Sequence, residues 1–91
     1  MPSVRYTDSF EKDLARLDAS IARRIIEKIE YLAQNPALGH PVSYLPKDLA
    51  GLKKYRIGDW RVLFWLDAQK DEIILYGIDH RSKIYKRFSL F

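Results

Sequence analysis

Lys53-Lys54-Tyr55-Arg56-Ile57-Gly58-Asp59-Trp60-Arg61-Val62-Leu63-Phe64-Trp65-Leu66 reads as two strands closed by a two-residue turn. Aromatic and β-branched side chains crowd the run, and Gly-Asp supplies the residue types that a tight hairpin loop requires. A loop of that length fixes the register, so Ile57 faces Trp60, Arg56 faces Arg61, Tyr55 faces Val62 and Lys54 faces Leu63. Strand alternation then sorts the hairpin by chemistry. Tyr55, Ile57, Trp60, Val62, Phe64 and Leu66 make an apolar face fit to pack under helices, while Lys54, Arg56 and Arg61 share the other.

Working outward, Ala68 to Asp71 forms a second turn, Glu72 to Asp79 a third strand, and His80 to Phe91 a tail. Upstream, Pro2 to Tyr6 reads as a short first strand. Thr7 or Asp8 then caps a helix marked by Phe10, Leu14 and Leu17. Asp18 or Ser20 caps a longer one, whose stripe Ile21, Ile25, Ile29 and Leu32 repeats every three or four residues. It stops near Asn35-Pro36, because the residue before a proline is pushed out of the helical region. Residues 37–48 hold Gly39, Pro41 and Pro46 without a clean period and read as an ordered loop, with His40 a structural residue in it. The expectation is one α+β domain over residues 1–91, ordered β-α-α-β-β-β, with two N-terminal helices packed on a mostly antiparallel sheet.

A chain of 91 residues, 47% hydrophobic, supports one thin core. There is no cysteine, so disulfide scaffolds and thiolate metal sites are excluded. No apolar run approaches the roughly 18 residues of a membrane span, and the N-terminus lacks the apolar stretch of a signal peptide, so a soluble cytoplasmic protein is expected. The first 48 residues carry seven basic and seven acidic side chains. The rest carry nine basic against five acidic, so the whole net charge of +4 lies in the second half. A one-sided positive field suits a polyanion.

Arg56 and Arg61 are direct cross-strand neighbours in this register. Like charges so placed are destabilising, which favours an anion between them, and guanidinium forks match phosphate oxygens. Asp59, a turn residue, is expected to bond its own backbone. The competing structural reading lays the arginines flat over exposed Leu63 and Trp65. Trp65 and Tyr76 offer rings on which bases could stack, or which could simply belong to the sheet surface. At the end of the third strand, Asp79-His80-Arg81-Ser82-Lys83-Ile84-Tyr85 gathers an imidazole, two cations and a phenol. Cleavage of a phosphodiester by a ribose 2′-OH needs a base, cations at the phosphorane-like charge and an acid for the leaving 5′ oxygen. His80 and Tyr85 equally suit a strand-end hydrogen bond and a half-buried ring.

With these pieces in this order, the chain resembles the RelE/ParE superfamily of bacterial and archaeal toxins, in its RelE-like mRNA interferase branch, over nearly its whole length. Leu52 to Phe64 is similar to that family's basic strand, Gly-Asp-aromatic-Arg turn and apolar strand, and His80 to Tyr85 to its terminal His-Arg…Tyr motif. The resemblance implies the RelE-like microbial RNase fold. It also implies a ribosome-dependent endoribonuclease that cuts mRNA in the ribosomal A site without metal or other cofactor, restrained by a RelB-like antitoxin. Lys54, Arg61, His80, Arg81 and Tyr85 are the implied catalytic set. Lys53, Arg56, Lys83, Lys86 and Arg87 are the expected RNA and phosphate contacts. Lys53 and Lys54 are adjacent and must point to opposite faces, so only Lys54 joins Arg56 and Arg61 by parity. Tyr85, Lys54 and His80 are all candidates for the general base. Two alternatives are a ParE-like gyrase inhibitor without nuclease activity and a non-catalytic RNA-binding module.

Overall fold

A computed structural model describes residues 2–84 and 86–88. Strand β1 (Ser3–Tyr6) leads into helix α1 (Asp8–Ala15) and helix α2 (Ala19–Gln34); β2 (His40–Pro41), β3 (Lys53–Ile57), β4 (Trp60–Asp67) and β5 (Glu72–His80) follow. The sheet runs β1-β5-β4-β3-β2, with β1 parallel to β5 and the other pairings antiparallel. The expected α+β architecture is therefore present, with the two-residue β2 added inside the loop that was read as irregular.

Both helices start where cap chemistry puts them. Thr7 Oγ1 accepts from Phe10 N–H at 3.3 Å and donates to the Leu75 carbonyl at 2.6 Å, so the α1 cap also ties the helix to β5. Asp18 accepts from Ser20 N–H at 2.9 Å, and this bond is the main reason its carboxyl lies below the ordinary range. Asn35 ends α2 ahead of Pro36, which opens a 3-10 turn. Both helices then pack on the sheet: Phe10 of α1 and Ile25, Ile29 and Leu32 of the α2 stripe join Val62, Phe64, Ile73 and Leu75 in the main core.

The hairpin has the register expected from its loop, Ile57 to Trp60 through Lys53 to Phe64. Gly58 takes φ +60° and Asp59 is not among the positive-φ residues, the sign pattern of a type II′ loop. Between β4 and β5 a bulge intervenes: Phe64 pairs with Leu75 but Leu63 with Gly77, leaving Tyr76 as the extra residue. The shift carries Ile78 onto the core side opposite Val62 and sets Asp79 opposite Arg61.

The second face of the sheet is less open than the hairpin alone suggests. Leu63, read as an exposed platform for the arginines, is fully buried with Leu52 and Ile84, and Val42, Leu45, Trp65 and Tyr76 pack around them. The loop before β3 and the segment after β5 both fold across this face. Trp65 donates its indole N–H to the Ala50 carbonyl at 3.1 Å and meets Tyr76 edge-on at 5.3 Å, so both rings are engaged in this second cluster.

Candidate functional site

The cation face lies at the turn end of the hairpin. Arg56 and Arg61 are paired across β3 and β4, with Lys54 two residues back on the same face. Arg61 Nη1 donates to the carbonyls of Gly58 and Trp60, both at 3.0 Å, which bends its side chain over the turn. Arg81, the first residue after β5, arrives at the same turn: its N–H donates to the Asp59 carbonyl at 2.7 Å and its Nε lies 3.6 Å from Asp59 Oδ1. Asp59 therefore pairs with Arg81, where it was expected to bond its own backbone. Both side chains of that pair are about two-thirds exposed (63% and 64%), so water screens it and an incoming phosphate can displace it at small cost.

Other positions fall away from this face. Lys53 is the partner of Phe64 and stands on the helix side, so its expected part in the RNA contact is corrected by strand parity. His80 is the partner of Trp60, also on the helix side, and meets its ring edge-on at 5.3 Å. Ser82 N–H donates to His80 Nδ1 at 3.2 Å, with Ser82 Oγ at 2.9 Å, so in the neutral ring the proton sits on Nε2. In that form the acceptor nitrogen is taken up by Ser82, and Nε2–H is the group left to donate. His80 and Lys83 line an open cavity of about 300 Å³ with Trp60, Asp13, Asp79 and Arg87, so the cavity joins the helix side of β5 to the Asp79–Arg87 pair. Lys86 is exposed in the 3-10 turn Lys86–Phe88. Tyr85 lies outside the described residues.

Arg87, expected among the phosphate contacts, is turned inward. Its Nη1 lies 2.8 Å from Asp13 Oδ2 and 3.0 Å from Asp79 Oδ2, and its guanidinium carbon sits 5.1 Å from the Tyr76 ring centre. Burial works against its charge, but hydrogen bonds and fields from Asp79 and Asp13 outweigh that and hold its basicity above the ordinary value. Asp13 also accepts from Ile78 N–H at 2.9 Å, closing the β5 edge that β1 leaves uncovered. A Cβ on Gly77 would stand 2.7 Å from Arg87 Cζ and 2.8 Å from Asp13 Oδ2, so only glycine lets this network form.

Two residues of the arrangement escaped the sequence. His40 pairs with Lys54 through β2 and is thereby an exposed imidazole at the edge of the cation face. Asp79 shares the face of Arg61 through the bulged register. Neither a two-residue strand nor a bulge leaves a periodic signal to read.

This geometry meets its counterparts among known proteins. Residues 4–85 match the family model of the ParE toxin of type II toxin-antitoxin systems, parDE. The chain belongs to the RelE/ParE family of type II toxins. It is similar to Toxin RelG of Mycobacterium tuberculosis, 31% identical over 87 residues covering 93% of this chain and 97% of that one. Toxin RelE of the same organism is 35% identical over 85 residues, covering 91% and 84%. Among solved structures, the RelBE2 toxin-antitoxin complex from M. tuberculosis contains a chain matching at TM-score 0.77 and 28% identity, with 89% and 92% covered. The isolated RelE toxin of E. coli shares the fold at TM-score 0.66 and 10% identity, covering 98% of this chain and 100% of that one. In this RelE/ParE toxin, no helix among the described residues is long and apolar enough to cross a membrane.

Proposed function

We propose that this toxin is an endoribonuclease that cuts mRNA in the ribosomal A site by attack of a ribose 2′-OH on the adjacent phosphate, and that a RelB-like antitoxin restrains it. The observation that carries the reading is the cross-strand pair Arg56 and Arg61, joined at one turn by Arg81, on a face that also holds Lys54. In the attack the 2′ oxygen forms a bond to phosphorus, the P–O5′ bond breaks, and negative charge grows on the non-bridging oxygens. Arg61 and Arg81 supply forked donors for that charge without a metal, while Arg56 anchors a neighbouring phosphate. Lys54, an imidazole at the face and Tyr85 are the groups proposed for the proton transfers. His80, whose Nδ1 is occupied, acts by holding the strand end. Lys83 and Lys86 are proposed as outlying phosphate contacts at the rim. The named relatives support the reading, since they are RelG and RelE toxins and the matched M. tuberculosis structure is a toxin-antitoxin complex.

The family model's ParE description favours a second reading, inhibition of DNA gyrase. Induction of the chain in cells, with mRNA mapped by primer extension and supercoiling assayed in parallel, separates the two. Site-specific mRNA breaks with normal supercoiling are expected. Growth arrest with intact mRNA and trapped gyrase would overturn the nuclease reading.

A further inference from the structure

Asp79 is the carboxylate best placed to disarm Arg61. It is the direct register partner of Arg61 on the neighbouring strand and shares its face, and opposite charges so placed attract across a ladder. Its Oδ2 is instead held at 3.0 Å by Arg87. Among the described residues, Arg61 meanwhile bonds uncharged main-chain acceptors, the carbonyls of Gly58 and Trp60. We propose that Arg87 is a positioning residue that sequesters Asp79, so that the charge of Arg61 stays available to an RNA phosphate; this rests on the nuclease reading above.

The surroundings of Arg87 fit that task. A contact needed only to fasten the chain end could use Asp13 alone, which already makes the shorter approach of 2.8 Å. The second carboxylate is the one beside Arg61. The three side chains are 19% (Arg87), 16% (Asp13) and 25% (Asp79) exposed, against 63% and 64% for Arg81 and Asp59, so the sequestering bonds are the less screened and the more persistent. Gly77 leaves room for the guanidinium, Tyr76 gives it a ring, and the Ile78 carbonyl accepts from it at 3.4 Å. With Arg87 removed, the Asp79 carboxylate is left part-buried without its cation. Its direct cross-strand partner on that face is the Arg61 cation.

The test uses the full chain, with affinity for a fluorescent single-stranded RNA and cleavage of mRNA on programmed ribosomes as separate readouts. Arg87→Ala should weaken RNA binding about tenfold, the value of a charged hydrogen bond, and slow cleavage on the order of a hundredfold, as for loss of a transition-state donor. Adding Asp79→Asn to that chain should restore both, and Asp79→Asn alone should leave both near the parent. Arg87→Lys, which keeps a charge but cannot bridge both carboxylates, should show a smaller loss that Asp79→Asn also relieves. A purely structural contact is also relieved by Asp79→Asn, because the orphaned carboxylate is removed, but its rescue then follows recovered stability in urea titration; RNA affinity lost in Arg87→Ala and regained with Asp79→Asn, at temperatures where both chains are fully folded, is the pattern that sequestration alone gives. Failure of Asp79→Asn to rescue a folded Arg87→Ala chain overturns the proposal, and so does failure of Arg87→Ala to fold even with Asp79→Asn. A parent chain that binds RNA but never cuts it sinks the nuclease reading, while the affinity rescue still decides the sequestration.

Discussion

At the scale of single residues, the hairpin turn separates groups that the sequence had run together. Arg61 and His80 are register neighbours of Asp79 and Trp60, and alternation sends them to opposite faces. Their variants should differ accordingly. Under the proposed mechanism Arg61→Ala removes a donor to the transition-state charge and should lower ribosome-dependent cleavage by about 10²- to 10³-fold with unchanged circular dichroism. His80→Ala should stay within about threefold of the parent, because a positioned proton-transfer group would be worth far more, about 10²- to 10⁴-fold. A steep loss in His80→Ala, read in the same primer-extension assay, would move the imidazole back into the chemistry. What was legible at this scale was the cation pair itself, since a two-residue loop determines who faces whom. What was not legible was the competition among charges: Arg87 and Arg81 look alike in a basic tail, and only tertiary placement makes one an internal clamp and the other a surface ion pair.

Among the elements, the helices were readable because each carries its own start signal and its own stripe. Thr7 does double duty, capping α1 and bonding the Leu75 carbonyl, so Thr7→Ala should destabilise the fold by about 1 kcal/mol or somewhat more in urea titration. Asp18 adds a pH dependence with a definite sign. Its folded-state pKa is depressed, chiefly by the Ser20 N–H, so its stabilisation is present above the ordinary carboxylate range and fades as pH falls through the depressed value. Asp18→Ala should therefore shift the urea midpoint at neutral pH and lose that effect in strong acid; an equal shift at both would contradict the capping assignment. The strands were readable only in part. The β3 and β4 register followed from Gly58-Asp59, whereas β5 is set by a four-residue turn and then by the Tyr76 bulge. Without that bulge the ladder would run on to place Ile78 opposite Arg61 and Asp79 opposite Trp60, so one extra residue decides which carboxylate stands beside the arginine. The edge strand His40–Pro41 is too short for any period and holds a proline that only an edge tolerates, which is why His40 read as a loop residue.

For the whole molecule, the uneven charge becomes a location. The neutral first half builds β1 and the helices that close the main core, while the basic second half, which carries the whole net +4, builds the hairpin and the segment after β5 where the cation face lies. That arrangement predicts RNA binding that weakens linearly in logarithmic plots against salt, with a slope of about −0.7 per phosphate engaged on a single strand. Replacing Lys83 or Lys86 by Ala should shallow the slope by a fraction of that step, while Lys53→Ala, on the helix side, should leave it unchanged; titrations at several salt concentrations check both. The second small core around Leu63 has its own consequence. Leu63→Ala should cost about 2–5 kcal/mol, because this side chain is fully enclosed and not an open platform.

The proposed reaction is attack by a ribose 2′-OH of mRNA held in the ribosome, assisted by the arginines of one sheet face. It is tested by cleavage, with purified toxin on programmed ribosomes, of an mRNA carrying a single 2′-deoxynucleotide at the mapped scissile position. Cutting of the all-ribose message should leave a 2′,3′-cyclic phosphate, and cutting should stop at the deoxy position. Continued cutting at the deoxy position, or a 3′-hydroxyl product, would contradict the account.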